Sequence, residues 1–273
     1  MDPFKERVAV ITGGAGGIGM AMGRAFAARG ARLVLADLDE ARLADATRTL
    51  SDEGSEVLAV PTDVTQQESV DALADTTFKH YGAAHIVCNN AGIAVLGPML
   101  EATPADWELT FDINFWGVVH GVRAFAPRLI EQKQGGHFVN TASMAGLVGM
   151  SWLGVYCASK FAVVGFTESL ARELTSEGVG VSLLCPMIVD TRINENTRKL
   201  LDTAPRGPSA AMTPPEDQMK GGVVSAESVA QRVVRALDAG DFYILTHLEQ
   251  REILRRRAAK QDAVFESSFE AGG

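Results

Sequence analysis

Strand-length apolar runs alternate with segments of helical periodicity along almost the whole chain, and this alternation restricts its fold more than any other feature. The runs are residues 7–11, 32–36, 56–60, 85–88, 136–141, 179–185 and 242–246. Between them, segments such as residues 18–29 and 41–53 repeat their apolar positions every three to four residues. They stop at Gly30 and Gly54, where glycine suits a left-handed helix cap. Strand and helix in this order produce right-handed crossovers, hence a parallel sheet with helices on both faces. The predicted architecture is a single doubly wound α/β domain of about seven parallel strands. With 273 residues, 47% of them apolar and 22% charged, the chain can bury one large core and gives no compositional case for disorder.

Charge narrows the partners. A formal net charge of −9 opposes broad attraction to phosphate backbones or anionic lipid, so neither nucleic acid nor a membrane is an expected partner. A basic cluster at Arg251, Arg255, Arg256, Arg257 and Lys260 has helical spacing among acidic neighbours, which reads as a solvated or subunit-facing surface. No stretch is apolar and long enough to span a bilayer, and Met1 to Glu6 lacks the apolar run of a signal peptide; a cytoplasmic location is expected. Cys88, Cys157 and Cys185 are odd in number and lack metal-ligand spacing, so they are expected as buried free thiols, with no metal site.

The first strand runs into Thr12-Gly13-Gly14-Ala15-Gly16-Gly17-Ile18-Gly19 and then directly into a helix. This is the setting of a dinucleotide-phosphate loop in a Rossmann-type fold. The glycines let the backbone approach a diphosphate, and the helix N-terminus offers unpaired N–H groups with partial positive charge. A merely tight turn is the alternative. The second strand ends near Asp37, whose carboxylate is placed to accept hydrogen bonds from adenosine ribose hydroxyls and to repel a 2′-phosphate. Neither Ala15 nor Leu38 offers a compensating cation, which argues for NAD rather than NADP. Asp37 as a helix cap, with Asp39 and Glu40 following, is the competing reading.

Tyr156 and Lys160 stand at i and i+4 of a helical segment, on one face. A free phenol is ionised in only about one molecule per thousand at neutral pH, and a nearby ammonium favours the phenolate. Taken alone, such a pair is more often surface decoration. The glycine loop, Asn89-Asn90-Ala91-Gly92, Ser143 and the Tyr156/Lys160 pair nevertheless follow the appropriate strands in order. Together they resemble the short-chain dehydrogenase/reductase family over essentially the whole chain from Val8 to about Thr246.

The resemblance implies an NAD-dependent oxidoreductase acting on an alcohol or ketone. Tyr156 exchanges a proton with the substrate oxygen, Ser143 orients that oxygen, Lys160 holds the nicotinamide ribose and lowers the phenol pKa, and Asn114 keeps a water near the lysine. It further implies cofactor contacts at Gly13, Gly17, Ile18, Gly19, Asp37, Asp63, Val64, Asn90, Ala91 and Gly92, and at Pro186, Val189 and Thr191. In Pro186-Met187-Ile188-Val189-Asp190-Thr191, Met187 stands where the family has glycine, which puts the local turn in question. Val95, Leu96, Met144, Leu147, Leu153 and Met187 are expected around the reacting carbon, with Ser143. Because they are nearly all apolar, the expected substrate is a neutral, bulky hydrophobic secondary alcohol or its ketone, with Arg192 the one nearby charge.

The direction of reaction stays open, so a physiological carbonyl reductase using the same residues is the nearest alternative. A non-redox lyase or a nucleotide-sensing protein on the same fold is the more distant one. One domain is expected over residues 1–273, with a lid at about 191–224 and a helical extension at about 247–273. By resemblance, a homodimer or homotetramer is expected through long helices at 104–132 and 156–176.

Overall fold

The computed structural model describes residues 3–203 and 222–269. Seven parallel strands, β1 (Val8–Thr12), β2 (Arg32–Asp37), β3 (Val57–Pro61), β4 (Ile86–Asn89), β5 (Gly136–Thr141), β6 (Val179–Cys185) and β9 (Tyr243–Leu245), form one sheet in the order β3-β2-β1-β4-β5-β6-β9. Two further short strands, β7 (Val189–Asp190) and β8 (Val224–Ser225), pair with each other outside it. Each is only two residues long, too short to leave an alternation in the sequence. The expected Rossmann-type domain, with its seven-stranded sheet and two helical layers, is the observed fold.

Alternation of buried side chains builds both faces. Ala9, Ile11, Leu33 and Leu35 turn toward Met22 and Phe26 of α1 (Gly17–Ala27) and Val229 and Val233 of α8 (Ala226–Ala239). Val8, Val10 and Val34 turn the other way. They meet Leu73 of α3 (Gln67–Tyr81), Phe125 of α5 (Gly117–Glu131) and Leu170 of α6 (Gly154–Leu174). Every residue of β1 is buried, as a strand covered on both faces requires.

The chain moves outward from β1 to β3 on one side and from β4 to β9 on the other. The order therefore reverses between β1 and β4, opening a crevice beyond the carboxyl ends of these strands. Gly30 and Gly54, expected to stop α1 and α2 (Glu40–Asp52), have φ of +85° and +89°.

The structure corrects one long helix. Residues 104–132 are α4 (Pro104–Phe111) and α5, joined by a π-helical turn at Asp112–Trp116 in which the Gly117 N–H reaches back to the Asp112 carbonyl. The wider turn inserts a residue and re-aims the side chains around Asn114, a device that helices use at functional sites. In the interval expected as a lid, α7 (Ile193–Thr203) forms the first part. Its proline-rich remainder, 204–221, lies outside the described residues. The C-terminal extension is α9 (Glu249–Phe269), with 270–273 outside the described residues.

Candidate active site

The crevice is a cleft of about 1440 Å³ bounded by the glycine loop, the ends of β4 and β5, the segment after β6, and α7. That exceeds the roughly 300–1,000 Å³ of an ordinary small-ligand pocket and leaves room for an extended ligand beside a substrate.

The glycine loop is a cradle that side chains would fill. A Cβ on Gly19 would lie 2.2 Å from the Gly13 carbonyl oxygen, and one on Gly13 3.0 Å from the Ala91 Cα. Gly16 is extended and opens α1 with no side-chain cap, so the first N–H groups of the helix are left for a ligand. Thr12 ties the loop to β4: its hydroxyl accepts from the N–H groups of Asn90 (2.9 Å) and Ala91 (3.1 Å), while Asn90 Nδ2 donates to the Thr12 carbonyl (3.0 Å). The neighbouring Gly17, Ile18, Asp63, Val64, Gly92, Pro186, Val189 and Thr191 all line the same cleft.

Asp37 does not cap α2. Asp39 does, accepting from the Arg42 N–H at 3.0 Å, whereas Asp37 accepts from the N–H of Ala15 in the loop (3.1 Å) and of Asp39 (3.2 Å). This leaves the Asp37 carboxylate at the mouth of the cleft beside the loop. These features fit a dinucleotide: a small-residue cradle, an uncapped helix N-terminus, and a carboxylate at the far end of the second strand.

At the other end of the cleft, Ser143, Tyr156 and Lys160 converge. Ser143 follows β5 in extended conformation; its hydroxyl accepts from the Ala145 N–H at 3.1 Å, donates to the Pro186 carbonyl at 3.4 Å, and lies within hydrogen-bonding reach of the Tyr156 phenol. The chain enters α6 through Trp152, a bulky residue held at φ +66° whose carbonyl accepts from the Gly97 N–H at 2.9 Å. Left-handed backbone at such a residue costs about 1–3 kcal/mol, and here it sets the start of the helix that carries Tyr156 and Lys160. The Lys160 ammonium donates to the Thr141 carbonyl at 2.9 Å and stands 5.8 Å from the centre of the Tyr156 ring.

Burial pushes the Tyr156 phenol up to about 12, with the hydrogen bond from Ser143 pulling the other way. Burial also lowers the Lys160 ammonium to about 8. In the chain alone Lys160 is not among the groups that shift the phenol; the expected lowering has Lys160 acting together with a bound, positively charged nicotinamide. The lysine's charge is costly to bury and is committed to the Thr141 carbonyl, and desolvation of the phenol dominates.

Asn114 is fully buried, and its amide is spent on packing the site together. Oδ1 accepts from the Ile93 N–H (2.9 Å), and Nδ2 donates to the Ile93 carbonyl (3.0 Å) and the Ser159 hydroxyl (3.1 Å). A Cβ on Gly92 would lie 3.1 Å from Asn114 Oδ1 and 3.4 Å from Lys160 Nζ, so these three positions meet at one point.

Of the residues expected around the substrate, Leu96, Leu153 and Met187 line the cleft with Ser143 and Tyr156. Val95 packs with Ile93, Leu109 and Ile113, and Leu147 against Val163 and Leu183; both stand behind the wall instead of on it. Met144 borders the cleft, but its thioether takes a hydrogen bond from Gln250 at 3.5 Å, which commits the sulfur to the start of α9. Met187 keeps negative φ, so the missing family glycine leaves this turn unstrained.

Met150, Leu200 of α7 and Ile253 of α9 also line the cleft and were not foreseen, since nothing in their local sequence marks them. Neither was Arg42. Among the described residues no group of three His, Cys, Asp or Glu is placed to hold a metal, and no helix is long and apolar enough to cross a membrane. All three cysteines are free and buried.

Comparison with known proteins bears on this arrangement directly. The family model for short chain dehydrogenases matches residues 7–202. A 1-deoxy-11-beta-hydroxypentalenate dehydrogenase of Streptomyces exfoliatus is 39% identical over 259 residues, covering 92% of this chain and 87% of the relative. A CLA biosynthesis dehydrogenase/reductase of Lactiplantibacillus plantarum is 34% identical over 270 residues, covering 95% and 94%. Among solved structures, a short-chain dehydrogenase/reductase from Burkholderia phymatum in complex with NAD superposes with a TM-score of 0.88 at 38% identity, covering 96% of each chain. The chain belongs to the short-chain dehydrogenase/reductase family. Within it, the chain is an oxidoreductase acting on CH–OH groups.

Proposed function

We propose that this protein interconverts a neutral, bulky hydrophobic secondary alcohol and its ketone, using NAD(H), with Tyr156 as the general acid/base. The observation that carries the reading is the convergence of the Tyr156 phenol, the Ser143 hydroxyl and the Lys160 ammonium at one end of a cleft whose other end is the glycine loop and Asp37.

A bound NAD supplies the hydride acceptor, which no side chain of the chain provides. The protein's own part is positioning and proton transfer. Ser143 holds the substrate oxygen against the phenol, and the phenolate of Tyr156 removes the hydroxyl proton during oxidation and returns it during reduction. Phenolate formation works against the burial that holds the group near 12, so it requires positive charge brought into the site with the ligands. Lys160, the Thr141 carbonyl and Asn114 keep the surrounding frame fixed. Gly13, Gly17, Gly19 and the Asn90–Gly92 segment form the cofactor's bed, and Asp37 takes the adenosine ribose hydroxyls.

Leu96, Leu153, Met150, Met187, Leu200 and Ile253 make an apolar surround for the reacting carbon, and α7 acts as part of a lid. The Burkholderia structure in complex with NAD supports the choice of cofactor. The Streptomyces relative is named for a hydroxypentalenate, an organic anion, and Arg192 lines the cleft. A bulky apolar alcohol carrying a peripheral carboxylate is therefore the second reading. The test is NADH formation at 340 nm across a panel of neutral alicyclic and aryl secondary alcohols, bulky hydroxy acids and small hydroxy acids. Bulky alcohols should be the preferred substrates; preference for small anionic hydroxy acids would contradict the apolar surround.

A further inference from the structure

The sequence offers no cation at the loop or at the end of β2 to receive a 2′-phosphate, but the fold brings one there from α2. Asp39 caps that helix through the Arg42 N–H, which fixes Arg42 on its first turn. The Arg42 side chain folds back over the glycine loop, so that a Cβ built on Gly16 would lie 2.5 Å from its Nη2. Its Nη1 donates to Asn196 Oδ1 of α7 at 2.9 Å. Asp37 accepts from Ala15, the preceding residue of the loop, at 3.1 Å. A carboxylate and a guanidinium thus flank neighbouring residues of one loop at the far end of the cleft, and both line it.

Of the other cations along the cleft, Arg192 immediately precedes α7 and acts on Glu195 at a distance, and the next two are paired. Arg24 makes two 2.8 Å bonds to Glu53, and Lys199 pairs with Glu195 at 2.8 Å. Arg42 makes no ion pair within 4 Å among the described residues; its one side-chain hydrogen bond goes to the neutral Asn196 amide, and Glu195 is a carboxylate near enough to feel its charge. A half-buried guanidinium with donors to spare is well matched to a phosphate, to which it can present two parallel N–H groups.

We propose that Arg42 is a cofactor-specificity residue: it forms a latent site for a 2′-phosphate on the adenosine ribose, and the balance of Asp37 against Arg42 sets cofactor choice. The inference rests on the dinucleotide reading of the cleft. With Asp37 present, its charge opposes the phosphate and Arg42 only moderates the exclusion. Without Asp37, attraction by Arg42 acts unopposed, so the preference inverts instead of merely vanishing.

Equilibrium binding of NADH and NADPH, followed by the fluorescence of the reduced nicotinamide, tests this on the full chain with the wild type, Asp37→Ala, Arg42→Ala and the double variant. Asp37→Ala should bind NADPH about tenfold more tightly than NADH. Adding Arg42→Ala should bring the two affinities within about threefold, with the circular dichroism spectrum and the urea-unfolding midpoint showing that the variant is folded. In the Asp37-containing chain, Arg42→Ala should weaken NADPH binding further. A double variant that keeps the NADPH preference of Asp37→Ala, or an Asp37→Ala chain with no such preference, would overturn the role of Arg42. Failure of the wild type to bind either nucleotide would instead overturn the dinucleotide reading on which the inference stands.

Discussion

Replacing Lys160 by methionine should change how stability depends on pH, in a direction and by an amount set by the lysine's surroundings. Its side chain is 3% exposed, donates to the Thr141 carbonyl, and has its pKa lowered by burial from 10.5 to about 8. In the unfolded chain the group keeps its ordinary value. Below about pH 8 both states are protonated and the cost of burying the charge is fully present. From about pH 8 to 10.5 the unfolded state binds the extra proton, so stability rises with pH as that cost is relieved. A shift of this size is worth about 3 kcal/mol in full, of which about 2–3 kcal/mol is gained between pH 7 and 10.

Methionine has a similar length and no charge, so Lys160→Met lacks this dependence; it also orphans the Thr141 carbonyl, a cost of about 1–3 kcal/mol that does not vary with pH. The difference in unfolding free energy, wild type minus variant, should therefore rise by about 2–3 kcal/mol from pH 7 to 10, read by urea unfolding at fixed protein concentration. Tyr156 and Cys185 titrate higher, near 12, and are common to both chains. A difference that stays flat with pH would refute the claim that the ammonium is buried at a cost.

Three further outcomes follow from the same geometry. The wild type should show a kcat/KM for NAD at least about tenfold above that for NADP, and equal values would mean that Asp37 does not select. Gly19→Ala should leave the circular dichroism spectrum unchanged but weaken NADH binding by at least about tenfold, because the new Cβ would sit 2.2 Å from the Gly13 carbonyl oxygen and force the loop out of shape. Thr197→Val removes the acceptor of the Ala94 N–H, a 3.0 Å bond that pins α7 to the cleft, so the substrate KM should rise several-fold while NADH affinity stays within about twofold.

Much of this architecture was legible because its determinants are local. The strand runs of β1 and the centre of β2 are buried and read as unbroken apolar stretches, β5 and β6 keep shorter apolar runs broken by polar residues, and the glycine loop, the Tyr156/Lys160 pair and Ser143 sit at chain positions that the strand order brings together. The π turn around Asn114 was not legible, since one inserted residue barely disturbs a helical hydrophobic pattern. Met144 and Leu147 were assigned to the substrate by their distance from Ser143 along the chain. Met144 does border the cleft, its sulfur held by Gln250 more than a hundred residues away, while Leu147 packs into the core behind β6. Nothing in the sequence marks Arg42 as part of the cleft: neither the loop nor the end of β2 carries a cation, and the first turn of α2 delivers one by folding back. The lowered phenol was implied by the family resemblance, with a bound nicotinamide adding its charge, and the i, i+4 spacing says nothing about how far burial opposes it in the chain alone.

The role of Tyr156 is tested most directly by Tyr156→Phe, which removes the phenolic oxygen and preserves the ring. The measurement is the rate of NADH formation with a saturating alcohol substrate, beside NADH binding to the same preparation. Binding within about twofold of the wild type, with turnover reduced by at least about a hundredfold, is the expected result. A folded variant that binds NADH normally and turns over within about tenfold of the wild type would remove Tyr156 from proton transfer and leave the convergence of Ser143, Tyr156 and Lys160 without its proposed chemistry.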